Sequence, residues 1–179
     1  MNHTVLLVVD VQTALIDAHP FREQELIASI QTLLDAAREH GTEVVYVRHD
    51  GGSGDELEFG TDGWQIDRAI APLPDERVFD KRYNSAFKDT GLHEYLTSRN
   101  ICEIFLVGMQ TEYCIDATCK VAFELGYSVV IPSGATTTYD NAYLSGEMLV
   151  QYYEETIWNN RFARVVPLED AVRRLQSYL

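Results

Sequence analysis

The sequence predicts a three-layer α/β/α domain built on a six-stranded parallel sheet. Three observations predict it. The 179 residues and 46 % hydrophobic content suit one domain of roughly 100–200 residues with a sizeable core. Short apolar, β-branched runs alternate with segments of helical spacing, the pattern of βαβ units. The first run, Val5-Leu6-Leu7-Val8-Val9, is apolar at every position, as a strand buried on both faces must be.

The elements follow in order. Strand one ends at Asp10. Phe21 to His40 has helical spacing, with Leu26, Ile27, Ile30, Leu33, Leu34 and Ala37 on one face and Gly41 as a stop. Glu43 to Arg48 is strand two. Asp50 to Pro74 is rich in Gly and acidic residues and lacks periodicity, so it is expected as a loop or lid. Arg77 to Asp80 is strand three, Thr90 to Arg99 a helix, and Ile101 to Val107 strand four. A helix from Glu112 to Leu125 stops at Gly126. Tyr127 to Ile131 is strand five, Leu144 to Trp158 a helix, Ala163 to Val166 strand six and Leu168 to Tyr178 a closing helix. Right-handed crossovers leave few topologies. The Rossmann-like order 3-2-1-4-5-6 is expected, with strands one and four flanking the switch point. No internal repeat or linker interrupts the chain, so 1–179 is expected as one domain.

Composition narrows the function. The net charge of −14 repels phosphate backbones, which argues against nucleic-acid binding. No run of about 18 apolar residues exists, so no transmembrane helix and no membrane partner are expected. The N-terminal Met1-Asn2-His3-Thr4 lacks the basic region of a signal peptide. The 3 cysteines are an odd number without a pairing pattern, which suits free thiols in a reducing cytoplasm.

In open α/β sheets, ligands bind beyond the carboxyl ends of the strands at the switch point. Asp10 ends strand one, Lys81 follows strand three, and Cys114 lies shortly after strand four in the first turn of the next helix. The topology brings all three to one crevice. Each has two readings. Cys114 is a nucleophile whose thiolate is favoured by a helix N-terminus and by Lys81, or an inert buried cysteine. Asp10 is a general base, or a cap for the following turn. Lys81 tunes the base and the thiol, or belongs to a solvated cluster with Asp80 and Arg82. Cys102, at the far end of strand four, and Cys119, about 140° around the helix from Cys114, fit structural roles. Backbone amides of Gly108 to Cys114 suit an oxyanion hole.

These segments carry a resemblance. Val8-Val9-Asp10-Val11-Gln12, Gly60-Thr61-Asp62-Gly63-Trp64, Lys81-Arg82-Tyr83-Asn84-Ser85-Ala86-Phe87 and, most specifically, Gly108-Met109-Gln110-Thr111-Glu112-Tyr113-Cys114-Ile115-Asp116-Ala117-Thr118 resemble the isochorismatase-like cysteine hydrolases. That family includes nicotinamidases, N-carbamoylsarcosine amidases and ureidoacrylate amidohydrolases. The resemblance spans nearly the whole chain. It implies an Asp-Lys-Cys triad on Asp10, Lys81 and Cys114, a non-proline cis peptide at Met109–Gln110, and an oxyanion hole from the amides of Gln110 and Cys114. It implies cysteine-dependent hydrolysis of a C–N bond in a small amide or ureido substrate through a thioester, without a cofactor. Isochorismatase-type vinyl-ether hydrolysis and a non-catalytic binding role on the same fold are the alternatives.

One departure is informative. Nicotinamidases of this family carry an Asp-x-His type metal site near the end of strand two, where this chain reads Arg48-His49-Asp50-Gly51-Gly52. One histidine beside one Asp is thin for a metal site, so no metal is expected. His49, Gln12, Trp64, Tyr83 and Phe87 are the candidate substrate-pocket residues, with ordinary packing as the competing reading for the aromatic ones. The resemblance also implies a homodimer or homotetramer. Tyr139 to Trp158 is rich in the Tyr, Trp and Met residues enriched at interface cores, with packing inside the monomer as the competing reading.

Overall fold

Residues 3–177 are described by a computed structural model. Strand β1 (Thr4–Val9) is buried along its whole length. It lies between β2 (Glu43–His49) and β4 (Glu103–Met109), pairing parallel with both. β3 (Arg77–Lys81) extends the sheet beyond β2, and β5 (Ser128–Pro132) and β7 (Arg164–Val166) extend it beyond β4. The order β3-β2-β1-β4-β5-β7 is the predicted topology. A short strand, β6 (Thr136–Thr137), pairs with Gly108 and Met109 of β4.

Alternation along β1 explains the layers, because successive side chains point to opposite faces. Leu6 and Val8 pack with Leu26, Ile30, Leu33 and Leu34 of α2 (Glu23–Glu39) and with Ala171 and Leu175 of α6 (Leu168–Gln176). Val5, Leu7 and Val9 pack against the other layer, where α3 (Leu92–Ser98) contributes Leu92 and Leu96, and α4 (Asp116–Glu124) contributes Cys119 and Ala122. Helix α2 holds Glu23 and Glu25 in its first turn and Arg38 in its last, the charge placement a helix dipole favours.

Boundaries shift at functional and short elements. The segment predicted as helix from Glu112 starts instead as a π-helical turn, Thr111–Ile115, before α4 begins. Helix α5 (Gly146–Tyr152), capped by Ser145 through Met148 N, runs into a second π-helical turn, Tyr153–Trp158. A five-residue helix, α1 (Thr13–Asp17), and β6 are additional to the predicted elements, because both are too short to leave a periodic signal. Met1-Asn2 and Tyr178, at the ends of the expected features, lie outside the described residues.

The 50–74 segment is non-repetitive apart from one 3₁₀ turn, Arg68–Ile70. Thr13 N donates to Gln65 O, Ala14 N to Gly63 O and Asp67 N to Val11 O, which ties the loop to the residues after β1. The Arg48 guanidinium stacks 3.5 Å from the Trp64 ring centroid and also pairs with Asp80.

Candidate active site

Four strands end at one crevice. His49 is the last residue of β2 and Lys81 the last of β3, and they are register partners. Asp10 follows β1 in the left-handed region, with φ 55°. Such a backbone is uncommon for a residue with a side chain, though Asp tolerates it better than most. Cys114 sits in the π-helical turn after β4, and π-helical turns concentrate at functional sites. The bond Met109–Gln110 is a non-proline cis peptide.

Lys81 is the hub of this site. Its side chain has no solvent exposure, and Nζ lies 2.6 Å from Asp10 Oδ2. Nζ also contacts Cys114 Sγ at 3.2 Å and His49 Nδ1 at 3.1 Å. Asp10 Oδ1 is buried without a hydrogen bond, which leaves an acceptor lone pair beside the thiol. The predicted convergence of Asp10, Lys81 and Cys114 is therefore present in the geometry.

The thiol's ionisation differs from the expectation. Burial, and after it the Asp10 carboxylate, push the Cys114 thiol up to about 12, with Lys81 pulling the other way. The expected net lowering by a helix N-terminus and Lys81 does not occur, because burial disfavours the thiolate and Asp10 offsets the Lys81 charge. Cys114 rests as a thiol beside a carboxylate. Cys119 is fully buried in the core and Cys102 is exposed.

A cavity of about 210 Å³ opens over these groups, lined by Asp10, Leu15, His49, Leu57, Asn84, Met109, Gln110, Tyr113 and Cys114. Leu15, Leu57 and Met109 form an apolar wall. The volume is below the 300–1,000 Å³ usual for drug-sized ligands. Of the candidate pocket residues, His49 lines this cavity. Gln12 does not: its side chain is completely buried and bonds His49 O, Trp64 O and His49 N. Trp64 is buried beneath Arg48 beside Phe59. Tyr83 is half exposed and lines a separate cavity of about 330 Å³, and the partly buried Phe87 stacks on Tyr127 against the core.

Leu15, Leu57, Asn84 and Tyr113 were not singled out from the sequence. Leu57 carried a signal, as the one large apolar residue between Asp50 and Glu58. Among the described residues, no group of three or more His, Cys, Asp and Glu side chains is arranged to hold a metal ion.

A family model described as Isochorismatase domain matches residues 4–169. A streptothricin hydrolase from Streptomyces noursei is 38 % identical over 138 residues, covering 75 % of this chain and 50 % of that protein. Nicotinamidase 3 from Arabidopsis thaliana is 27 % identical over 172 residues, covering 88 % of this chain and 80 % of that protein. The crystal structure of an isochorismatase from Pseudomonas putida KT2440 superposes with a TM-score of 0.88 at 28 % identity, covering 94 % of this chain and 89 % of that one. The chain spans about half the length of the two streptothricin hydrolases it matches, 50 % and 54 %.

Proposed function

The chain belongs to the isochorismatase family, and from that premise we propose that it is a cysteine-dependent hydrolase acting on a C–N bond of a small amide or ureido substrate. The observation that carries this reading is the contact of one buried ammonium with both a carboxylate and a thiol that line a cavity. Asp10 takes the Cys114 proton as the sulfur attacks the substrate carbonyl carbon. Transfer to an adjacent base suits a thiol that rests protonated. The amides of Gln110 and Cys114 hold the charge that develops on the carbonyl oxygen. Asp10 returns the proton to the departing amine, which leaves a thioester on Cys114. A water, deprotonated by Asp10, then cleaves the thioester and restores the thiol. Lys81 holds carboxylate and sulfur in place through its contacts with both.

One relative's name, nicotinamidase, supports a C–N target without fixing the substrate. The proposal includes a cofactor-free reaction, a single hydrolase domain over 1–179 and a cytoplasmic location. It also includes assembly into a homodimer or homotetramer. Tyr143, Met148 and Tyr152 are exposed on and beside α5, and large exposed side chains of these types suit a partner surface.

A panel of amides and ureides, scored by ammonia or amine release, tests the reading. Turnover of at least one member with an acyl adduct trapped on Cys114 by mass spectrometry is expected, with loss of both in Cys114→Ser. Undiminished turnover in Cys114→Ser overturns it.

A further inference from the structure

The two ring nitrogens of His49 have different surroundings. Nδ1 lies 3.1 Å from Lys81 Nζ. An ammonium group only donates, so Nδ1 accepts and carries no proton. Lys81 has three N–H donors and three neighbouring acceptors: Asp10 Oδ2, Cys114 Sγ and His49 Nδ1. A neutral imidazole with a bare Nδ1 holds its single proton on Nε2. No hydrogen bond to a described residue engages Nε2, and His49 lines the cavity.

We propose that His49 is a specificity-determining donor: Lys81 locks its tautomer, and the Nε2–H binds an uncharged acceptor, a carbonyl or ureido oxygen or a ring nitrogen, on the substrate. This rests on the reading of the cavity as the reaction site. The ring also stays neutral. Burial is the largest influence holding its pKa below the usual histidine value, followed by the Lys81 charge; Asp10, Asp55 and Asp50 oppose them. A second ring proton would face the ammonium directly. The polar lining, Asp10, His49, Asn84, Gln110, Tyr113 and Cys114, contains no cation, and the N–H groups of Lys81 are already engaged. The cavity therefore offers neutral donors, which suit an uncharged acceptor better than a carboxylate. A carboxylate would lose its hydration without gaining a counter-charge.

Nitrogen NMR of protein labelled at histidine tests this without turnover, with His49→Gln assigning the signal. A protonated Nε2 and bare Nδ1 are expected from pH about 8 down through about 6.5, where an ordinary histidine titrates. An Nδ1–H tautomer, or a midpoint at or above about 6.5, overturns the proposal. For panel members that are turned over, His49→Leu should raise KM roughly tenfold relative to His49→Gln, which keeps an N–H donor, with kcat much less affected. Equal KM in the two variants also overturns it. The acyl adduct on Cys114 is read separately, so failure of the nucleophile and failure of the His49 role give different results.

Discussion

Replacing Lys81 with Met removes a buried ammonium and keeps most of the side-chain volume. It leaves the Asp10 carboxylate, whose side chain is 2 % exposed, without its partner at 2.6 Å. Breaking a buried ion pair on one side costs about 3–5 kcal/mol, because the remaining charge has lost both water and counter-ion. For a chain of this size each kcal/mol lowers Tm by about 2–4 °C, so a fall of about 6–20 °C is expected. The variant should still fold, since domains have about 5–15 kcal/mol in hand. Adding Asp10→Asn removes the stranded charge and keeps a side chain tolerant of positive φ. The double variant should regain most of the loss, because replacing both members of a buried pair is often close to neutral. Urea denaturation followed by fluorescence of the buried Trp64 and Trp158 reads all three proteins. A single variant within about 1 kcal/mol of wild type, against the roughly 3–5 expected, would refute the reasoning. So would a double variant no more stable than the single.

Four further outcomes are expected. Gly108→Ala should cost more than about 3 kcal/mol in the same assay, since φ is +123° and a Cβ would lie 2.0 Å from Val9 O of the neighbouring strand; a loss below about 1 kcal/mol contradicts it. Burial raises the Glu154 carboxyl above its ordinary 4.5, against the hydrogen bonds from Ser133 and Gly134. A raised carboxyl stabilises the fold fully below pH 4.5 and loses that contribution as pH rises through its folded value, so Glu154→Gln should gain on wild type between pH 4 and 7; a pH-independent difference would exclude it. Activity should survive exhaustive chelation, because neither proton transfer nor attack in the proposed cycle needs a metal; loss restored by added zinc would overturn that. Light scattering should give a dimer or tetramer mass, and a mass near 20.3 kDa would refute assembly.

Much of this was legible in the sequence. Val5 to Val9 is apolar at every position, which places β1 inside a parallel sheet, and the switch-point rule then carries Asp10, Lys81 and Cys114 to one crevice. The thiol's ionisation was not legible, because its sign depends on competing distances to Asp10 and Lys81 and on burial, none of which spacing encodes. Gln12 resembles a pocket residue in sequence, but a buried amide satisfied by backbone groups carries the same letter as one facing a ligand. Leu57 and Asn84 come from segments without periodicity, Leu15 from a helix too short to show any, and the helical spacing around Tyr113 does not say which way its side chain faces, so their convergence gave little warning.

Most of the reactive groups and most of the cavity walls belong to different parts of the chain, Cys114 and Tyr113 in one turn and Met109 at the end of β4 being the exceptions. Asp10, His49 and Lys81 are fixed at strand ends by sheet register, whereas Leu15 comes from α1, Leu57 and Asn84 from loops, and Tyr113 from the turn. Such separation lets selection act on shape and on reactivity independently. New substrates become reachable by drift in the wall positions while the proton chemistry stays intact. A combinatorial library confined to Leu15, Leu57, Asn84 and Tyr113 would explore that substrate space directly.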